Sequence, residues 1–122
     1  MRDRDSAWSD GTGWGFSVDD DYGNVFYKRA TGQLPEMESS KAAARRIAPH
    51  LKAEGSMLDV GCGGGHYVPS LIRQIGLPFS YKGTDLTPAY IDLANEAFAD
   101  RKNVSFEVAN VLDLPFKDKS FD

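Results

Sequence analysis

Apolar residues recur along this chain first at a helical period, and then in short runs alternating with helical stretches. From Ser17, the residues Val18, Tyr22, Val25 and Phe26 take the i, i+4, i+7 and i+8 positions of one helix face, and Arg29 continues it. Ser17 can cap this helix and Asp19 to Asp21 put negative charge in its first turn, while Lys28, Arg29 and Gly32 mark its end. A second helix is expected from Glu38 to Ala48, with Ser40, Ala44, Ile47 and Leu51 on one side and Lys41, Arg45 and Arg46 outward. Pro49 lacks an N–H and disfavours helical geometry at Ala48, so the helix ends or kinks there.

The pattern then changes. Met57–Val60 is a short apolar strand running into Gly61-Cys62-Gly63-Gly64-Gly65, and Val68, Leu71, Ile72 and Ile75 give a helix closed by Gly76. Phe79 to Thr84 reads as a second strand. Thr87 caps a further helix with Pro88 at its first position and Tyr90, Ile91, Ala94, Ala97 and Phe98 as its apolar face. Val104 to Ala109 reads as a third strand, with Val104, Phe106 and Val108 alternating against Ser105 and Glu107. Strands separated by helices of this length predict an α/β fold, a parallel sheet of three strands flanked by helices.

Composition narrows the class. The chain has 122 residues, 41% of them hydrophobic, enough for a packed core. Its 14 Lys and Arg stand against 18 Asp and Glu, and the net charge of −4 speaks against a general nucleic-acid clamp. A single cysteine, Cys62, allows no internal disulfide and no cysteine-paired metal site. The N-terminal residues are charged with no apolar run behind them, and nothing approaches the roughly 18 apolar residues of a membrane span. A cytoplasmic domain is expected. Residues 1–16, with Trp8, Trp14 and Phe16 among Gly11, Gly13 and Gly15, read as an arm without periodicity.

Glycine turns between a strand and a helix serve several ligands, because glycine permits positive φ and close approach of backbone. A phosphate-cradling loop needs Gly-Lys followed by a hydroxyl residue, and none occurs here. A dinucleotide turn needs G-x-G-x-x-G; counted from Gly61 the sixth position is His66, and counted from Gly63 it is Val68. What stands here is Gly61-x-Gly63-x-Gly65 directly after Leu58-Asp59-Val60. Asp85 follows Gly65 by 20 residues, at the end of the second strand, where an acid can accept from both hydroxyls of a ribose.

The run Leu58-Asp59-Val60-Gly61-Cys62-Gly63-Gly64-Gly65 resembles the first motif of class I S-adenosylmethionine-dependent methyltransferases. Val108-Ala109-Asn110-Val111-Leu112-Asp113-Leu114-Pro115-Phe116, followed by Asp118-Lys119-Ser120-Phe121-Asp122, resembles the motif after the third strand in their ubiquinone/menaquinone-biosynthesis-like branch. The resemblance runs from about Glu36 to Asp122 and implies a Rossmann-like fold with S-adenosylmethionine as cofactor. It implies that backbone at Gly61, Cys62, Gly63 and Gly65 lies along the methionine part and that Asp59 accepts from backbone or the methionine ammonium. By the same resemblance Asp85 binds the ribose, and Leu86 and Val111 sandwich the adenine. Asn110 stands where the family has an acid; its carbonyl can accept from the adenine amino group while the Val111 N–H donates. His66 would lie toward the carboxylate end of the cofactor, and Tyr22, Tyr27 and Arg29 would close over it. A nucleophilic role for Cys62 finds no base nearby, and His50 reads as exposed or structural.

Residues 1–35 are thus expected to form an arm and helix covering the site, and residues 36–122 the cofactor-binding half-domain. In the resembled family Phe121-Asp122 opens a fourth strand that pairs against the first, so the first strand is expected to carry an open edge. Two function classes follow. One is a methyltransferase with a small-molecule acceptor, RNA acceptors also occurring among relatives, in which this stretch alone is inactive. The other is a non-catalytic cofactor-binding or partner-docking chain, completed by a second copy or another protein through that edge. The sequence names no acceptor atom and no catalytic base.

Overall fold

The computed structural model describes residues 21–122, so the N-terminal arm, the Ser17 cap and Val18 lie outside the described residues. Helix α1 spans Asp21–Ala30 and α2 Glu38–Ile47, and a 3-10 turn at Ala48–His50 follows directly, with Pro49 inside it. Strand β1 (Gly55–Val60) leads through the glycine turn into α3 (Val68–Ile75). Then come β2 (Phe79–Asp85), α4 (Pro88–Ala97) and β3 (Val104–Val108). The sheet order is β1-β2-β3, parallel throughout, with Asp59 opposite Gly83 and Gly83 opposite Phe106.

Residues in register share a face of the sheet. Met57 and Asp59, Tyr81 and Gly83, Val104 and Phe106 therefore face the same way, toward α3 and α4. There the core closes on Val68, Leu71, Ile75, Ile91, Ala94 and Phe98. Gly83 is what admits the Phe106 ring: a Cβ at that position would stand 2.7 Å from Phe106 Cδ1 and 2.9 Å from Cys62 Sγ. The other face carries the ion pair of Lys82 and Glu107 at 3.6 Å. Leu58 there lines a cavity of about 460 Å³ together with residues of the segment from Val111 to Phe121.

Two departures from the expected pattern have local causes. Val108, expected inward, is 46% exposed, because it sits at the last rung of the ladder opposite Asp85, beyond the helices. Thr87 does not cap α4 with its side chain. Its own N–H instead donates to Asp85 Oδ1 at 3.0 Å. Helix α2 docks on α3 through a polar contact inside an apolar setting. Ser40 and Ser70, both buried, are 3.1 Å apart at their hydroxyls, and Ser70 also donates to Glu36. Arg73 of α3 pairs with Glu36 at 2.5 Å.

Helix α1 lies on α4 and on the glycine turn. Gly23 makes the close approach to α4, a Cβ there falling 3.3 Å from Leu93 Cδ1. Phe26 stacks on His66 with centroids 4.3 Å apart and meets Tyr90 edge-on at 5.2 Å. At the β1 edge, the Asp122 N–H donates to the Ser56 carbonyl at 3.0 Å and the Ser56 N–H donates to the Asp122 carboxylate at 2.8 Å. Among the described residues, no helix is long and apolar enough to cross a membrane.

Two predictions follow from this packing. Gly83→Ala should lower stability by about 1–3 kcal/mol in urea unfolding, since the added methyl has no room between Phe106 and Cys62. His66 is held neutral chiefly by burial, with the Arg29 charge adding, and its folded value falls from 6.5 to about 4. The unfolded chain therefore takes up a proton near pH 6.5 that the folded chain refuses. Stability present above pH 6.5 is lost as the pH falls toward about 4. His66→Phe, which keeps a stacked ring without the titration, should show a shallower fall in Tm over that window; parallel curves would refute the assignment.

Candidate functional site

The three strands end side by side, and the residues singled out in the sequence gather at their carboxyl ends, where open parallel sheets bind ligands. After Val60 the chain turns through Gly61, Gly63 and Gly65 at φ values of +77°, +59° and +79°. Alternating left-handed residues of this kind are open to glycine and costly to others. The turn is pinned to the sheet at its start, where the N–H groups of Gly61 and Cys62 donate to the Thr84 carbonyl at 2.8 and 2.9 Å, and it closes on itself where Gly65 N–H donates to the Cys62 carbonyl at 3.1 Å.

Asp85 holds its middle. Its Oδ2 accepts from Gly63 N–H at 2.9 Å, and its Oδ1 accepts from Thr87 N–H at 3.0 Å. Each carboxylate oxygen keeps a second acceptor site, so both remain able to receive a hydroxyl. Asp59 stands half-buried on the neighbouring strand with its Oδ2 accepting from the Tyr81 hydroxyl at 2.6 Å. Burial lifts the Asp59 carboxyl above its ordinary value; the Tyr81 hydrogen bond works against that rise and the Asp85 charge adds to it.

Around these two acids the other groups are inert. Cys62 is 3% exposed, and burial, reinforced by Asp59 and Asp85, pushes its thiol far up. A thiol kept protonated and enclosed is no nucleophile, so only the backbone of Cys62 is available to a ligand. His66 and Phe26 cover one side of the turn: a Cβ on Gly63 would lie 3.0 Å from His66 Cε1 and 3.3 Å from Phe26 Cε2. Over Gly61 no atom of the described residues lies within 4 Å of that position, so among them this side of the turn is open. Arg29 donates to the Pro35 carbonyl at 3.0 Å and thereby braces the connection from α1 to α2. His50 is exposed.

Beyond β3, Ala109 N–H donates to the Asp85 carbonyl at 3.1 Å and extends the ladder by one rung. Asn110 then closes a tight turn, its Oδ1 accepting from Leu112 N–H at 2.9 Å and its carbonyl from Asp113 N–H at 3.0 Å. The Asn110 side chain is thus engaged with its own backbone, the ordinary use of Asn in a turn. Val111 and Leu112 stand out at 62% and 89% exposure, and Leu86 is half-buried at the end of β2. Sequence reasoning passed over Tyr81, Phe26 and Leu112. Tyr81 carried the signal of an aromatic two positions before a strand glycine, which cannot reveal where its hydroxyl goes.

The donor inventory decides which ligand chemistry fits. Phosphate-binding turns present unpaired N–H groups to an anion. Here the N–H groups of Gly61, Cys62, Gly63 and Gly65 have protein acceptors, that of Gly64 has none among the described residues, and two carboxylates flank the turn. The two carboxylates suit a ligand bearing hydroxyls and positive charge. S-adenosylmethionine, with a ribose, an ammonium and a sulfonium, meets that requirement.

Comparison with known proteins agrees. The methyltransferase domain family matches residues 57–122. Norajmaline N-methyltransferase of Rauvolfia serpentina is 31% identical over 89% of this chain and 41% of its own length. Demethylmenaquinone methyltransferase of Staphylococcus aureus is 29% identical over 70% of this chain and 36% of its own. The chain therefore spans about two fifths of the length of these curated relatives. The crystal structure of a SAM-dependent methyltransferase from Aquifex aeolicus superposes with a TM-score of 0.62 over 82% of this chain and 53% of that one, at 22% identity, and so shares the fold. The glycine turn with its two acids on a three-stranded parallel sheet, and the family match over more than half the residues, make this chain a member of the class I S-adenosylmethionine-dependent methyltransferase family.

Proposed function

We propose that this chain binds S-adenosylmethionine as part of an enzyme that methylates a small-molecule acceptor. The observation that carries the reading is the left-handed glycine turn flanked by the Asp59 and Asp85 carboxylates. In this reading Asp85 accepts from the two ribose hydroxyls while it continues to hold the Gly63 and Thr87 N–H groups. Asp59 faces the ammonium of the methionine part, and the backbone from Gly61 to Gly65, including Cys62, runs beside it. Leu86 and Val111 cover the faces of the adenine. Asn110, its side-chain oxygen shared with Leu112 N–H, lies at the adenine edge together with the Val111 N–H.

When bound, the cofactor supplies an electrophilic methyl carbon on a sulfonium, and its departure as a neutral thioether drives transfer to the acceptor. The chain's own part is alignment and exclusion of water rather than covalent chemistry. Phe26 and His66, packed over Gly63, shield one side of the turn, and the open side over Gly61 leaves the approach for a ligand. A small-molecule acceptor is supported by the names of the norajmaline and demethylmenaquinone relatives and by the net charge of −4, which speaks against a general nucleic-acid clamp. A cytoplasmic setting accords with the free, buried thiol of Cys62. Binding without turnover, with another chain completing the sheet, is the second class the sequence leaves, and the same titration coupled to a methyl-transfer assay separates the two.

Calorimetric titration with S-adenosylhomocysteine should give saturable binding, weakened at least about tenfold by Asp85→Ala and less by Asp85→Asn, which keeps one acceptor oxygen. Because Asp85 also secures two backbone N–H groups, Tm is measured alongside. A folded protein that ignores S-adenosylhomocysteine, or that binds a nicotinamide dinucleotide instead, overturns the proposal.

A further inference from the structure

Tyr81 has a ring where a phenylalanine would pack equally well. It is 2% exposed, tilted against Phe106 at 5.6 Å, and set among the apolar residues beneath α3 and α4. A hydroxyl taken into such surroundings costs free energy unless it finds a strong partner. Its partner is Asp59 Oδ2 at 2.6 Å, a length characteristic of a hydroxyl donating to an ionised carboxylate. The register explains the reach. Tyr81 lies opposite Met57, and the residue opposite Asp59 is Gly83, so no side chain intervenes between the phenol and the carboxylate one rung along.

Asp59 needs such a partner. Burial and the negative charge of Asp85 at the end of β2 both favour the protonated acid, and among the described residues it is the Tyr81 hydrogen bond that opposes them. The phenol stays a donor throughout, because burial first and the Asp59 charge next hold it protonated well beyond its ordinary range. Among the described residues the side-chain hydrogen bond to Asp59 comes from Tyr81, at Oδ2, which leaves Oδ1 for a ligand.

We infer that Tyr81 is a positioning residue for the cationic end of the ligand: its hydroxyl turns and fixes the Asp59 carboxylate so that the remaining oxygen receives an amino-acid ammonium. The inference rests on the cofactor reading above and deepens it. It assigns recognition of the amino-acid part of the cofactor to a residue that does not touch the cofactor, and it separates that part from the adenosine part held at Asp85.

The test uses two probes that differ only in the amino-acid part, S-adenosylhomocysteine and 5′-methylthioadenosine. Tyr81→Phe should weaken S-adenosylhomocysteine about tenfold at pH 7 and leave 5′-methylthioadenosine within about twofold. Affinity of the variant for S-adenosylhomocysteine should also recover as the pH is raised, because Asp59 without its donor ionises later. Asp59→Asn should reproduce the selective loss with no pH recovery, and it serves as the second variant where Tyr81→Phe is poorly folded. Equal weakening of both probes, or no change in either, overturns the inference and makes Tyr81 a packing residue. Failure of the underlying cofactor reading looks different: the unmodified protein then binds neither probe.

Discussion

The Asp85 carboxylate is the constraint on which the site depends. With one oxygen on Gly63 N–H and the other on Thr87 N–H, it joins the middle of the glycine turn to the first residue before α4. Those two segments come from opposite sides of β2 in the chain, and each would otherwise leave a donor unpaired near a helix start. A carboxylate placed at the last position of the central strand satisfies both at once. The same stroke puts a negative charge with spare lone pairs at the mouth of the crevice. Structure and recognition therefore share one side chain, which is why a substitution there has to be read with a stability control.

Electrostatics around that point run in one direction. Asp59 feels the Asp85 charge, and burial makes the arrangement costlier still. Tyr81 moderates the cost on Asp59, and the turn N–H groups moderate it on Asp85. Cys62 records the same surroundings, its thiol kept protonated by burial and by both acids, whereas His66 is kept neutral by burial and the Arg29 charge against the pull of Asp85.

The cover over the turn is assembled from residues far apart in sequence. Phe26 of α1 lies on His66, while the connection between α1 and α2 is held by Arg29 on the Pro35 carbonyl and by Glu36 on Arg73 and Ser70. Glu36 thus fastens the N-terminal helices to α3, the helix that the glycine turn begins. Packing on one side of the cofactor crevice and ion pairing behind α3 belong to a single support.

Much of this was legible in the chain itself. The period-2 and helical runs placed every described strand and helix within a few residues, because each element buries one face and the burial imposes its repeat on the sequence. The order of strands and helices determined a parallel sheet, and the spacing of Gly61, Gly63, Gly65 and Asp85 pointed to a nucleoside-bearing ligand, since that chemistry needs backbone freedom and an acid at fixed places on consecutive strands. What only the tertiary structure decided were contacts between residues with no periodic relation: Tyr81 on Asp59, Phe26 on His66, Ser40 on Ser70, and Asp85 rather than the Thr87 side chain at the start of α4. Sequence patterning reports which face a residue turns to the core. Which polar atom it meets there depends on the register between strands and on the room left by residues such as Gly83, and these are settled only when the elements pack.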